Sequence, residues 1–120
     1  MNKIMIADDE KMIRKLVLAT LKSDDYILLE ATNGEQALKI AQEKKPDVLL
    51  LDVKMPKKTG LEVCEILKSN PETRSIYIIM LTGQANEDDL KAGKTAGAND
   101  YFTKPFSPLS LLEKIGSVLD

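Results

Sequence analysis

The sequence predicts a doubly wound α/β fold, in which a parallel sheet of five strands lies between two layers of helices. Apolar runs of strand length alternate along the chain with longer stretches of helical period, and short segments of Gly, Pro, Asn or Asp separate them. Two of these runs, 48–51 and 76–80, lack the polar alternation of a half-exposed strand. Both are therefore expected to be covered by helices on two faces, as central parallel strands are.

The predicted elements follow each other in strict βα alternation. Strands are expected at 3–7, 26–30, 48–51, 76–81 and 99–102, and helices at 10–22, 34–44, 59–68, 86–96 and 108–119. The second and fifth strands are shorter or more polar than the others, with Asn99 and Asp100 inside the fifth, and are expected at the sheet edges. Right-handed crossovers between the strands then place helices on both faces and give a three-layer sandwich.

Individual helices carry their own signals. In the first, Ile13, Leu16, Val17 and Leu21 repeat at the spacing of a core-facing stripe. The fourth has acidic residues near its amino end but few large apolar residues, and Gly93 in its middle costs about 1 kcal/mol relative to Ala. We therefore predict that the fourth helix is the least stable of the five.

Composition limits the classes of function. A chain of 120 residues fits one domain, expected to span 1–120. Seventeen Lys and Arg against nineteen Asp and Glu leave a net charge of -2, too balanced for direct nucleic-acid binding. No apolar run approaches the roughly 18 residues of a membrane span, and no signal-peptide pattern follows Met1, so a cytoplasmic location is expected.

The residue types present restrict the chemistry. The chain has no histidine, which excludes Ser-His-Asp and Cys-His nucleophile systems and imidazole metal sites. Its single cysteine, Cys64, lies in an apolar helical stretch and is expected to be a core residue. Any reaction must therefore use carboxylates, hydroxyls and lysines.

Such residues follow four of the predicted strands. Asp8 and Asp9 follow the first, Asp52 the third, Thr82 the fourth and Lys104 the fifth. Each alone has a structural explanation, as a helix cap, a turn residue or a solvated lysine. Together they converge on the carboxyl edge of one sheet, where ligands bind in doubly wound folds.

Carboxylates that converge in this way repel each other unless a cation lies among them. Mg²⁺ is the natural cation, because it prefers oxygen ligands and accepts phosphate oxygens. A carboxylate can then act as the nucleophile that forms an acyl phosphate. The metal and a lysine neutralise the phosphoryl oxygens while a hydroxyl donates a hydrogen bond.

Four motifs, in order and at fixed spacing, make the chain resemble the response-regulator receiver family of two-component signalling. They are Ala-Asp-Asp-Glu at 7–10, Leu-Asp-Val-Lys-Met-Pro at 51–56 with Gly60 eight positions after Asp52, Leu-Thr-Gly at 81–83, and Tyr-Phe-Thr-Lys-Pro-Phe at 101–106. The resemblance covers essentially the whole chain. It implies a flavodoxin-like sandwich with strand order 2-1-3-4-5.

The resemblance also implies roles for the site residues. Asp52 is expected to accept a phosphoryl group from a sensor histidine kinase or a histidine phosphotransfer protein. Asp9 is expected to bind Mg²⁺ directly and Asp8 through water, with Asp52 and the backbone carbonyl of Lys54 as further ligands. Lys104 is expected to pair with the phosphoryl group, and the bond before Pro105 is expected to be cis, which aims the lysine inward.

The same resemblance implies a conformational switch. The Thr82 hydroxyl moves toward the phosphoryl oxygen and vacates space for the Tyr101 ring, which changes a target-binding face formed by the fourth helix, fifth strand and fifth helix. Lys54 and Gln84 occupy the two positions that tune phosphoryl lifetime. The alternative for Lys54 is a solvated basic loop with Lys57 and Lys58.

Family members dock on the kinase through the first helix, where Met12, Leu18 and Ala19 lie toward the flanks of the predicted core stripe. They catalyse only their own phosphorylation and dephosphorylation. They act as monomers or as phosphorylation-dependent dimers. The sequence leaves open whether the chain acts alone by binding a target, relays the phosphoryl group onward, or belongs to a longer regulator.

Three other functions remain as alternatives. A Mg²⁺-dependent phosphatase of haloacid-dehalogenase type needs an acid two residues after the nucleophile, where this chain has Lys54. A flavodoxin-type nucleotide carrier needs a Ser-, Thr- and Gly-rich loop where Asp8 and Asp9 stand. A receiver that binds partners without phosphorylation is disfavoured because the acids, Thr82 and Lys104 are all present.

Overall fold

The structure of the protein, a computed structural model, describes residues 1–83 and 87–119. Its strands are β1 (Asn2–Ala7), β2 (Tyr26–Ala31), β3 (Val48–Asp52), β4 (Tyr77–Thr82) and β5 (Asp100–Thr103). Its helices are α1 (Lys11–Leu21), α2 (Gly34–Lys44), α3 (Gly60–Ser69), α4 (Glu87–Ala96) and α5 (Pro108–Leu119). The predicted alternation is confirmed, and the boundaries agree to within one residue, although residue 86 at the predicted start of the fourth helix lies outside the described residues.

The five strands form one parallel sheet in the order β2-β1-β3-β4-β5. This confirms the predicted fold class, the strand order and the placement of β2 and β5 at the edges. All five residues of β3 are buried, as expected for a strand covered on both faces. In the fourth strand, Ile76 is buried but precedes the first strand residue, Tyr77.

Each face of the sheet has its own hydrophobic core. On one face, alternate strand residues such as Met5 and Leu49 pack with buried residues of α2, α3 and α4. On the other face, Ile4 and Leu50 pack with buried residues of α1 and α5. The alternation follows from the period of two along a strand, so successive side chains reach opposite layers.

Local signals fix where the helices begin. The Asn33 side chain accepts a hydrogen bond from the Gln36 backbone N–H at the start of α2. At the start of α3, Thr59 and Glu62 form a reciprocal capping box, which satisfies two backbone donors. Cys64 in α3 is fully buried, which confirms it as a core residue. Within the described ranges, no helix has both the length and the apolar character needed to cross a membrane.

Candidate functional site

Three aspartates meet at the carboxyl edge of the sheet. Asp8 directly follows β1 and is fully buried, Asp52 ends β3 and is also buried, and Asp9 is exposed. One carboxylate oxygen from each lies within 4.8 Å of the others. The structure therefore brings together the acids that the sequence places after two neighbouring strands.

Lys104 reaches into this cluster from the loop after β5. Its Nζ lies 2.7 Å from Asp8 Oδ2, 3.3 Å from Asp52 Oδ1 and 3.2 Å from Glu10 Oε1. The Lys104 backbone N–H donates to the Thr82 carbonyl at 2.7 Å, and the Lys104–Pro105 bond is cis. The contacts of its Nζ place the Lys104 ammonium at the carboxyl ends of β1 and β3.

Opposing effects act on the pKa of Lys104. Burial alone would lower it, because an ammonium loses hydration when it leaves water. The hydrogen bond to Asp8 and the negative charges of Asp52 and Asp8 outweigh burial, and they raise the pKa above its usual value. Lys104 is therefore a fixed cation of the site.

The site disfavours the ionised form of Asp52. Burial, followed by the negative charge of Asp8, raises its pKa from 3.8 to about 7, although Lys104 and the Lys54 backbone N–H favour the charged form. That N–H donates to Asp52 Oδ1 at 3.4 Å. One ammonium does not offset the negative charge of the whole cluster, so the neutral form of Asp52 is favoured at pH values below its pKa of about 7.

Two glycines allow the loop after β3 to close on the site. A Cβ on Gly60 would lie 2.0 Å from the Asp52 carbonyl oxygen, and one on Gly34 would lie 1.9 Å from the Lys58 carbonyl oxygen. The Gly60 N–H donates to the Val53 carbonyl at 2.8 Å. A side chain at either position would clash with backbone atoms, at the end of β3 for Gly60 and in the following loop for Gly34, so the backbone would have to shift.

Comparison with known proteins assigns the family. The sequence matches the response regulator receiver domain over residues 4–116, nearly the whole chain. The chain belongs to the receiver domain family. It is 42% identical over 116 residues to the phosphate regulon transcriptional regulatory protein PhoB of Pseudomonas aeruginosa. The aligned region covers 97% of this chain and 51% of that protein. The chain spans about half the length of the curated relatives it matches.

Solved structures give the same assignment. The chemotaxis response regulator CheY4 of Vibrio cholerae has a TM-score of 0.91 at 34% identity, with 98% of both chains covered. The Mn²⁺-bound form of response regulator Rcp1 has a TM-score of 0.82 at 30% identity, with 98% of this chain and 91% of that chain covered. An acidic cluster in a receiver domain is typical of phosphorylation-activated two-component signalling, in which a histidine kinase is the partner.

The donor set of this receiver fits a divalent metal ion. Mg²⁺ holds oxygen ligands at about 2.1 Å in an octahedron, so two of its ligands stand roughly 3 to 4 Å apart. The three aspartate oxygens, within 4.8 Å of one another, need only small movements or a bridging water to reach that spacing. The adjoining pocket of about 370 Å³ is lined by acids and by Lys54, Thr82 and Lys104.

The two expected switch residues, Thr82 and Tyr101, differ in burial. Thr82 ends β4, is buried and lines the pocket. Tyr101 is 41% exposed, whereas its neighbour Phe102 packs into the core on the α1 and α5 face. Because side chains alternate along a strand, Tyr101 lies on the α4 side of β5. Gln84 lies outside the described residues.

Sequence reasoning missed two residues beside the pocket. Glu10 precedes α1 and contacts Lys104, and Arg14 donates from Nη1 to the Asp8 carbonyl at 3.0 Å. Arg14 interrupts the apolar stripe of the first helix, which was the available signal that its side chain has a buried partner. Glu10 belongs to the motif at 7–10, but the sequence assigned it no role, because an acid at the start of a helix is normally a solvated partner of the helix dipole.

Proposed function

We propose that this receiver accepts a phosphoryl group on Asp52 with the help of Mg²⁺, changes its α4-β5-α5 face and later hydrolyses the acyl phosphate. The observation that carries the proposal is the convergence of Lys104 with Asp8 and Asp52 at contact distance, beside an exposed pocket. A fixed ammonium next to a nucleophilic carboxylate is what phosphoryl transfer requires, because the reaction depends mainly on positioning and charge neutralisation.

In the proposed reaction, an Asp52 carboxylate oxygen attacks phosphorus and the bond from phosphorus to the donor nitrogen or oxygen breaks. The leaving group departs with the bonding electron pair and takes up a proton. Asp8, Asp9, Asp52 and the Lys54 carbonyl would hold Mg²⁺, which neutralises phosphoryl oxygens when bound. Lys104 moves a short distance from Asp52 Oδ1 to a phosphoryl oxygen, and the Thr82 hydroxyl donates to another.

The proposed output depends on Thr82 and Tyr101. One new charge-assisted hydrogen bond from Thr82 shifts an equilibrium between two arrangements that differ by only a few kcal/mol. The half-exposed Tyr101 ring then turns inward and alters the face that a target protein contacts. The phosphoryl donor is a cytoplasmic histidine kinase or phosphotransfer protein that docks near α1, and Lys54 and Gln84 set the lifetime of the acyl phosphate.

Intact mass spectrometry tests the central step. The protein is incubated with Mg²⁺ and acetyl phosphate, and the wild type should gain one phosphoryl group. Asp52→Asn, which keeps the size of the side chain but removes the nucleophile, should gain none, and EDTA should prevent labelling of the wild type. Equal labelling of the two proteins would contradict the proposal, and turnover of a phosphomonoester would support the phosphatase alternative.

A further inference from the structure

We propose that Glu10 is a positioning residue for Lys104. It offers the ammonium a third carboxylate, outside the set that can hold a metal, so that a divalent cation can take over Asp8 and Asp52 without displacing the lysine from the pocket. The proposal rests on the proposed function of the pocket, and it assigns a role to a residue on which the reaction scheme above does not depend.

The first observation is the direction of the Glu10 side chain. Glu10 is the N-cap residue of α1, but its side chain makes no capping hydrogen bond. Its backbone N–H donates to Asp8 Oδ1 at 2.8 Å, and its carboxylate accepts from Lys104 Nζ at 3.2 Å, from a residue 94 positions away in sequence. The Glu10 side chain is 60% exposed, so this contact links two loops across the pocket mouth and not within the core.

The second observation is competition for the buried aspartates. Lys104 contacts Asp8 and Asp52, and these two residues with Asp9 form the cluster whose oxygens can hold a metal. An ammonium and a divalent cation that share the same oxygens repel each other, so binding of the metal weakens the hold of Asp8 and Asp52 on Lys104. Glu10 lies outside the cluster and remains available to the ammonium.

The consequence concerns metal affinity before phosphorylation. Without a carboxylate at position 10, Lys104 depends entirely on Asp8 and Asp52 among its described partners, and it competes with the metal more strongly. Removal of Glu10 should therefore weaken Mg²⁺ binding. Glu10→Asp is the matched control for charge, because it keeps the carboxylate but shortens the side chain by one methylene and withdraws it from Lys104.

Calorimetric titration with Mg²⁺ at constant ionic strength tests the proposal on wild type, Glu10→Gln and Glu10→Asp, each with and without Lys104→Met. With Lys104 present, both Glu10 variants should bind Mg²⁺ about threefold more weakly than wild type, as an exposed ion pair allows. With Lys104→Met, the Glu10 variants should change affinity by less than about 1.5-fold. Thermal unfolding in EDTA verifies that each protein is folded, and Lys104→Gln replaces Lys104→Met if the latter does not fold.

Two results would overturn the proposal. If Glu10→Asp binds Mg²⁺ as tightly as wild type does, the charge at position 10 is enough for the affinity and the contact with Lys104 is not needed. If Glu10→Gln loses the same affinity in the Lys104→Met protein, Glu10 acts on the metal directly. Acetyl phosphate labelling of the wild type in the same samples separates this failure from that of the proposed function, since lost labelling with unchanged Mg²⁺ titrations would contradict only the latter.

Discussion

At the scale of single residues, the ionisation of Asp52 decides how the metal-free protein responds to pH. Burial and Asp8 raise its folded-state pKa from 3.8 to about 7, so between these values the folded chain holds a proton that the unfolded chain has released. The contribution of Asp52 to the free energy of unfolding is fully present below pH 3.8, and it is lost as the pH rises from there toward 7. The ionised carboxylate therefore destabilises the folded protein at pH 8.

Asp52→Asn should reveal this cost. In EDTA at pH 8, the variant should have a free energy of unfolding about 2 kcal/mol higher than wild type. This value is below the full pKa shift because solvent in the open pocket screens part of the repulsion from Asp8, whereas the opposing effect of Lys104 is already contained in the pKa of about 7. The difference should shrink as pH falls to 4. Urea unfolding at several pH values measures it, and a difference that does not change with pH would show that the raised pKa is not the cause.

Protonation of Asp52 should also compete with the binding of Mg²⁺. Mg²⁺ binds the carboxylate form, so the apparent dissociation constant should increase about tenfold between pH 8 and pH 6 for a group with a pKa near 7. Calorimetric titration at the two pH values measures this change. The result should be the same in buffers of different ionisation enthalpy after correction for proton release, and an unchanged dissociation constant would contradict the prediction.

At the scale of secondary-structure elements, Gly60 controls how closely the start of α3 approaches β3. Gly60→Ala places a methyl group where the Asp52 carbonyl stands, so the loop must shift. We expect a loss of about 1–3 kcal/mol in unfolding free energy and weaker Mg²⁺ binding. Gly116→Ala in α5 is the control, because an added Cβ would meet no atom within 4 Å beyond its chain neighbours and the backbone of its own helix, and stability should not fall.

The sequence predicted these elements well because a strand that is buried on both faces consists almost entirely of apolar residues. The unbroken apolar runs that became β3 and β4 could belong only to central strands, and the sheet edge then located Asp8, Asp9 and Asp52. The contact between Glu10 and Lys104 was not predictable, because it depends on side-chain directions across two loops that are distant in sequence. The clash that a Cβ on Gly60 would make with the Asp52 carbonyl likewise becomes visible only when the backbone course of the loop is known.

At the scale of the whole molecule, two helices that pack on the same face of the sheet are unequally anchored. Helix α3 buries Val63, Cys64 and Leu67, whereas Ala96 is the one buried hydrophobic residue among the described side chains of α4. Buried Gly93 adds no side chain to that interface. Because helical stability in proteins comes mainly from packing of an apolar face, α4 should open more readily than its neighbours.

Hydrogen exchange by mass spectrometry tests this on the whole chain. Peptides from α4 should exchange fastest among the five helices, and Gly93→Ala should slow them, because its Cβ would make an ordinary 3.7 Å contact with Met80 and raise helix propensity. Addition of Mg²⁺ and acetyl phosphate should change exchange in α4 and β5 but not in α2, which serves as the internal control. Strong protection of α4 before phosphorylation would contradict the prediction that this helix opens readily. A segment whose conformation shifts for a few kcal/mol cannot also be among the most stable parts of the fold.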